Sequence, residues 1–115
     1  MQISEIQSLI SKLSESVQSF HERFGITGKT TREELLSRIP IQVEEVDELN
    51  YSILNESEER IANEAVDVLY VAIGTVLRLD PRISKLALRE VIDKNNAKTL
   101  GTHYINEFGK VSRRS

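Results

Sequence analysis

The stretch that decides the fold is EAVDVLYVAIGTVL, residues 64–77. From Ala65 to Leu77 it is apolar at nearly every position except Asp67, which is typical of a helix packed on most sides. A single ionised carboxylate in apolar surroundings is strongly disfavoured unless it is paired or binds a metal. The stretch therefore predicts a central helix whose Asp67 carboxylate has a partner.

The composition indicates one soluble, globular domain. The chain has 115 residues, of which 29% are charged, a formal net charge of −3 and no cysteine. The lack of cysteine excludes disulfides, thiolate metal sites and cysteine nucleophiles. The acidic balance argues against a nucleic-acid partner, and no apolar run reaches the roughly 18 residues of a membrane span. Because no secretory signal is visible, we expect a cytoplasmic protein that binds neither nucleic acid nor membrane.

Apolar residues at helical spacing predict four helices and no sheet. Ser4 and Gln7 form a capping box for the first helix, which ends near Gly25. Overlapping capping boxes at Thr30 and Thr31 both offer a start for the second helix. The expected fold class is therefore all-α and bundle-like.

The later helix boundaries are predicted from caps and prolines. Pro40 interrupts the second helix and predicts a kink or a break there. Asn55 and Glu58 predict the start of the third helix, and Pro81 suits the first position of the fourth. We expect a helical domain over residues 1–100 and a C-terminal tail, residues 101–115, that is a short extended piece or a loose arm.

Acidic residues crowd the second and third helices. They are Glu44, Glu45, Asp47, Glu48, Glu64 and Asp67. Side chains three residues apart share a helix face, and like charges at this density repel. A divalent cation between the two helices would remove the conflict. Ligands that offer only carboxylate oxygens favour Mg²⁺ or Mn²⁺ over zinc.

Two alternatives remain open on these residues alone. An acidic cluster on a helix is often only a solvated face. If it is a site, the inward row is either Glu44 with Asp47 or Glu45 with Glu48, since the two pairs flank the apolar stripe on opposite sides.

Two motifs resemble those of a known superfamily. EVDEL, residues 45–49, and EAVDVLY, residues 64–70, are similar to the paired ExxE and ExxD motifs of the all-α nucleoside triphosphate pyrophosphohydrolases. That superfamily includes MazG proteins, dimeric dUTPases, dCTP pyrophosphatases and phosphoribosyl-ATP pyrophosphohydrolase. The similarity extends from Phe20 to Lys98 and is greatest to single-domain MazG-like proteins, in which a four-helix unit is completed by oligomerisation.

The resemblance implies roles for particular residues. The Mg²⁺ ligands it implies, with Mn²⁺ as an alternative ion, are Glu45, Glu48, Glu64 and Asp67. Glu45 or Glu48 is the candidate catalytic base. Asn95 and Lys98 are similar to an Asn-and-basic motif that contacts the sugar or phosphate of the substrate.

The resemblance also implies an activity, which is hydrolysis of a nucleoside triphosphate to the monophosphate and pyrophosphate in nucleotide-pool control. The partners of the protein would be that substrate and further copies of the chain, in a homodimer or homotetramer. One alternative is another diphosphate-containing substrate, of the phosphoribosyl-ATP type, on the same scaffold. Phosphoribosyl-ATP is disfavoured because Ile41-Gln42-Val43 lacks the Lys and Gly typical of that enzyme. Another alternative is a non-catalytic helical oligomerisation or regulatory module. Because the chain has no Trp, a nucleotide base would have to stack on Phe, Tyr or His.

Overall fold

The computed structural model describes residues 2–115 and confirms the all-α fold class. Four helices follow one another along the chain: α1 (Gln2–Arg23), α2 (Arg32–Asn55), α3 (Glu58–Arg78) and α4 (Pro81–Asn96). Two short strands, β1 (His103–Ile105) and β2 (Val111–Arg113), pair antiparallel after the last helix. No helix within residues 2–115 is long and apolar enough to cross a membrane.

The prediction of no sheet is wrong in the tail, which forms a β-hairpin. The side-chain oxygen of Asn106 accepts hydrogen bonds from the backbone of Phe108 at 2.9 Å and of Lys110 at 3.0 Å. Gly109 has φ +79°, a left-handed conformation that favours glycine. An Asn and a Gly bounding a tight turn are the local cause of the hairpin.

The helix caps follow the predictions only in part. Thr31 accepts a hydrogen bond from the Glu34 backbone at 3.2 Å and caps α2, as one of the two boxes predicted. The described part of α1 already begins at Gln2, so Ser4 lies inside the helix. The cap of α3 is Ser57 instead of Asn55, because Asn55 is the last residue of α2.

Helix α2 runs through Pro40 without a break, so of the two predicted outcomes the break is wrong, and a kink stays a prediction. A proline inside a helix lacks the N–H of one helical hydrogen bond and costs about 3 kcal/mol. Helix α2 packs along α3, and this tertiary contact offsets the local cost.

By packing, the chain divides into two units. The first ends at Asp80 and holds α1, α2 and α3; the second begins at Pro81 and holds α4 and the hairpin. Within the first unit, α3 contacts both α1 and α2, in agreement with its apolar sequence. The division between domain and tail at residue 100 stays a prediction.

An ion pair joins α2 and α3 at one end of the first unit. The buried guanidinium of Arg78 donates to both carboxylate oxygens of Glu34, at 2.5 and 2.8 Å, and Arg78 also donates to the Gly28 carbonyl at 3.4 Å. The hydrogen bond from Arg78 lowers the pKa of Glu34, so that carboxylate stays ionised. The pair fastens the end of α3 to the start of α2.

A second polar contact fixes how α2 and α3 align. Arg38 on α2 donates through Nε to Thr75 Oγ1 at 2.8 Å and through Nη2 to the Val71 carbonyl at 2.9 Å. Thr75 donates in turn to Gln42 Oε1 at 3.2 Å. Gly74 is buried, and a Cβ placed on it would lie 2.5 Å from Arg38 Nη2. The glycine therefore leaves room for the guanidinium.

We expect Gly74→Ala to lower the free energy of unfolding by about 1 kcal/mol. The added methyl group displaces the Arg38 guanidinium from its acceptors, a loss of about 1.5–3 kcal/mol. Alanine's better helix propensity returns about 1 kcal/mol. Urea denaturation measures the difference. Gly101→Ala is the control, since its new Cβ would meet its nearest neighbour at 3.5 Å. Equal stability of Gly74→Ala and wild type would contradict the packing role of Gly74.

Candidate metal centre

Three glutamates from two helices converge in the first unit. One carboxylate oxygen from each of Glu45, Glu48 and Glu64 lies within 4.8 Å of the other two. Glu45 and Glu48 stand three residues apart on α2, and Glu64 lies in the first half of α3. Glu64 is buried, Glu45 half-buried and Glu48 exposed. The contact between the two helices therefore brings the three groups together.

Two oxygens of this cluster are buried without a hydrogen-bond partner, Glu45 Oε2 and Glu64 Oε2. The other oxygen of Glu64 accepts from Arg60 Nη2 at 2.6 Å, so that ion pair satisfies only half of the carboxylate. A buried acceptor left unpaired costs about 1–3 kcal/mol. Hard carboxylate oxygens from several side chains are the ligands that Mg²⁺ and Mn²⁺ prefer. The donor set therefore fits a divalent cation.

The pKa values of two glutamates in the cluster also agree with a cation site. Burial, followed by the charge of Asp67 and those of Glu44 and Glu64, raises the pKa of Glu45. Partial desolvation and the charge of Glu45, followed by Glu64, raise the pKa of Glu48. In both shifts, repulsion between ionised carboxylates is the second cause after desolvation. A bound cation would reverse this preference and favour the ionised forms.

Asp67 stands apart from the three glutamates. Its carboxylate is not among the oxygens that converge, although its charge is near enough to raise the pKa of Glu45. The sequence predicted apolar surroundings for the Asp67 side chain. This prediction is wrong for the single chain, in which Asp67 is exposed. Both α1 and α2 pack against α3, yet the neighbouring Val66 is 46% exposed as well. Asp67 as a metal ligand stays a prediction.

An open groove of 760 Å³ lies beside the glutamates. Glu48 and Glu64 line it together with Arg60, and so do Glu44 and Asp47. Arg60 was not predicted from the sequence, although its position four residues before Glu64 is a recognisable signal for an ion pair on a helix. Its side chain is 53% exposed and brings positive charge to an otherwise acidic groove.

Asn95 and Lys98 belong to the second unit. Asn95 donates to the Val91 carbonyl at 2.8 Å, and Lys98 Nζ donates to Asn95 Oδ1 at 3.0 Å. Both line a groove of 490 Å³ between the end of α4 and the hairpin. Their role as substrate ligands stays a prediction.

We expect Mg²⁺ to stabilise the protein and Glu45→Gln to remove that effect. An ion at 100 times its Kd adds about 2.7 kcal/mol if it binds only the folded state. Without Mg²⁺, Glu45→Gln should melt no lower than wild type, because the substitution removes a repelling charge. Thermal melts with and without Mg²⁺ measure both effects. Asp47→Asn on the same helix is the matched control and should keep the stabilisation. Equal stabilisation of Glu45→Gln would exclude this cluster as the metal centre.

The family comparison agrees with the geometry. Residues 7–96 of the chain match the family model for phosphoribosyl-ATP pyrophosphohydrolase, which belongs to the MazG-like superfamily. No curated protein and no solved structure matches significantly. The match covers both acidic motifs and the four helices, apart from the first residues of α1. It also supports the substrate class that the sequence kept only as an alternative. The chain therefore belongs to the phosphoribosyl-ATP pyrophosphohydrolase family.

Proposed function

We propose that the protein hydrolyses a nucleoside triphosphate group, releasing pyrophosphate, with Mg²⁺ or Mn²⁺ held by Glu45, Glu48, Glu64 and Asp67. The observation that carries the proposal is the pair of buried carboxylate oxygens without partners, Glu45 Oε2 and Glu64 Oε2, in a cluster built from two helices. Membership of a pyrophosphohydrolase family gives the reaction class.

The reaction needs charge neutralisation and in-line positioning more than covalent chemistry from the protein. A bound divalent cation would neutralise phosphate oxygens and polarise the reacting phosphorus. The attacking water forms a new P–O bond, the anhydride bond breaks, and pyrophosphate leaves with the bonding electrons. A carboxylate of Glu45 or Glu48 accepts the proton of the water.

Two substrates within this class have specific support. The family match favours phosphoribosyl-ATP. The absence of Lys and Gly around Ile41-Gln42-Val43 favours a canonical or modified (d)NTP. Both substrates carry a triphosphate on a nucleoside, so the same acids serve either one. Relative kcat/KM over a panel of phosphoribosyl-ATP, NTPs and dNTPs separates the two.

We expect Glu48→Gln and Asp67→Asn each to lower Mg²⁺-dependent pyrophosphate release at least 100-fold. Each substitution removes one negative ligand while it preserves the size of the side chain, so the helices should stay folded. A coupled assay for pyrophosphate measures the rate, and circular dichroism checks the helix content.

Glu44→Gln is the control for charge alone, since it removes an exposed acid one residue from Glu45. It should keep most of the activity. If wild-type protein releases no pyrophosphate from any substrate of the panel, the chain is a non-catalytic module. Unchanged turnover in Glu48→Gln and Asp67→Asn would place the chemistry elsewhere.

We also propose that a second copy of the chain is the partner of the first unit. Among the described residues, the buried hydrophobic core consists of Val17. Helix α2 instead exposes apolar residues at spacings of three, four and seven. They are Leu36, Ile39, Val43, Val46 and Ile53. A stripe with this spacing can pair with the same stripe of another copy around a two-fold axis.

The expected assembly is a homodimer or a homotetramer, measured by sedimentation equilibrium at micromolar concentration. Val43→Asp should shift the protein toward monomer, because it places a charge in the paired stripe. Ile41→Asp is the matched control, since Ile41 is 43% exposed and, two residues from both Ile39 and Val43, lies on the opposite side of the helix from the stripe. A monomeric wild type would contradict self-association.

A further inference from the structure

The groove beside the acidic cluster contains two residues that the metal centre does not use, Arg60 and Tyr51. All of its lining residues belong to the first unit, and its volume of 760 Å³ is within the range of pockets for small molecules. Among the described residues that line it, Arg60 is the one with a basic side chain and Tyr51 the one with an aromatic ring. Five acidic side chains share the groove with them: Glu44, Asp47, Glu48, Glu56 and Glu64.

Arg60 and Tyr51 stand on the same side of the converging glutamates. Helices α2 and α3 pack along each other and are joined by residues 56–57 alone, so they run in opposite directions. Tyr51 follows Glu48 by three residues on α2, and Arg60 precedes Glu64 by four residues on α3. Both therefore lie about one helical turn from the cluster, toward the connection between the helices. A ligand that extends along the groove from the cluster meets both residues.

The guanidinium of Arg60 has more donors than its ion pair uses. Its Nη2 atom donates to Glu64 Oε1 at 2.6 Å, which holds the guanidinium beside the carboxylates proposed to bind the cation. A guanidinium has five N–H donors in a planar fork that suits phosphate oxygens. The Arg60 side chain is 53% exposed. Arg60 can therefore keep its ion pair with Glu64 and donate to a phosphate group at the same time.

Tyr51 offers an exposed aromatic ring on the wall of the same groove. The residue is 61% exposed, whereas the adjacent Ser52 is buried and donates to Glu56 Oε1 at 2.5 Å. This hydrogen bond holds the end of α2 in place, so the position of the ring is set before a ligand binds. An aromatic ring beside a charged groove is a stacking surface for a nucleotide base. A ligand that fits both residues has a phosphate chain next to a flat ring.

We propose that Arg60 binds the phosphate chain of the substrate and that Tyr51 stacks on its base. Arg60 supplies positive charge to a groove whose acidic side chains would otherwise repel a phosphate chain. Tyr51 supplies the aromatic contact that a chain without Trp must take from another residue. The inference rests on the proposed function, since it assigns substrate contacts next to the same acidic cluster.

The binding test uses nucleotides whose reacting anhydride bond is blocked. The α,β-methylene analogues of the common NTPs and dNTPs are titrated into the full-length protein with Mg²⁺ present, and calorimetry gives each Kd. Inorganic pyrophosphate is titrated in the same way as a phosphate chain that lacks the nucleoside. We expect the wild type to bind both pyrophosphate and at least one analogue, and to bind that analogue more tightly.

Arg60→Gln should weaken the binding of the analogue and of pyrophosphate alike, each about 10-fold, because a charged hydrogen bond to phosphate is lost. Lys29→Gln is the matched control for charge. Lys29 is exposed and follows Gly28, whose carbonyl accepts from Arg78 at the end of α3 that is distant from Arg60. Lys29→Gln should change neither affinity.

Mn²⁺ binding distinguishes a substrate contact from a residue that only positions Glu64. Arg60→Gln should bind Mn²⁺ at least as tightly as the wild type, because a positive charge next to Glu64 is removed. A residue that only positioned the Glu64 carboxylate would give the opposite result, since its loss would weaken Mn²⁺ binding. The electron paramagnetic resonance signal of free Mn²⁺ measures this affinity.

Tyr51→Leu should weaken the binding of the analogue about 5-fold or more and leave pyrophosphate binding unchanged, because it removes the stacking ring alone. Tyr51→Phe keeps the ring and should keep both affinities. Phe108→Leu is the matched control, since Phe108 is 86% exposed and does not line this groove.

Four results would overturn the inference. They are the absence of binding of either ligand by the wild type, an unchanged pyrophosphate affinity in Arg60→Gln, weaker Mn²⁺ binding in Arg60→Gln, and equal effects of Tyr51→Leu on the two ligands. Pyrophosphate release by the wild type would then leave the proposed reaction standing. A wild type that shows both contacts but releases no pyrophosphate from any nucleotide would refute the reaction alone.

Discussion

The constraint on which the structure depends is the repulsion among carboxylates that two helices force together. Glu45, Glu48 and Glu64 each place an oxygen within 4.8 Å of the others, and two of the six carboxylate oxygens are buried without a partner. Arg60 neutralises part of this charge from the rim of the groove, since it reaches only one oxygen of Glu64. Such a cluster lowers the stability of the empty fold, and a divalent cation converts the same groups into ligands. A site that costs stability when empty and has the right donor atoms is typical of a functional site.

The position of the cluster depends on contacts made elsewhere in the first unit. Arg38 on α2 donates hydrogen bonds to the Val71 carbonyl and the Thr75 hydroxyl of α3. Thr75 donates in turn to Gln42, which stands on α2 three residues before Glu45. These contacts fix the longitudinal alignment of the two helices, and the alignment places Glu64 opposite the ExxE row. Gly74 permits this arrangement because it lacks a side chain where the guanidinium lies. The geometry of the acidic cluster therefore depends on how the two helices of the unit pack.

Local signals in the sequence were sufficient for much of the fold. Hydrophobic periodicity predicted four helices, and the Thr31 cap is confirmed by its hydrogen bond to Glu34. The hairpin was overlooked although Asn106 and Gly109 signal a turn. At Pro40 the local signal was followed and the predicted break did not occur. Packing of α2 against α3 overrides the tendency of proline to end a helix. The inward row of acids could not be chosen from spacing, since both rows flank the apolar stripe. The exposure of Asp67 and the role of Gly74 depend on what packs beside them, and periodicity carries no such information.

The most direct test of the account is a titration of wild-type protein with Mn²⁺, followed by the electron paramagnetic resonance signal of the free ion. The account predicts saturable loss of the free signal at a whole number of ions per chain. It predicts no specific binding in a variant with Gln at all three positions, Glu45, Glu48 and Glu64, that remains helical by circular dichroism. Equal binding by the wild type and the triple variant would contradict the account, and so would the absence of binding by the wild type.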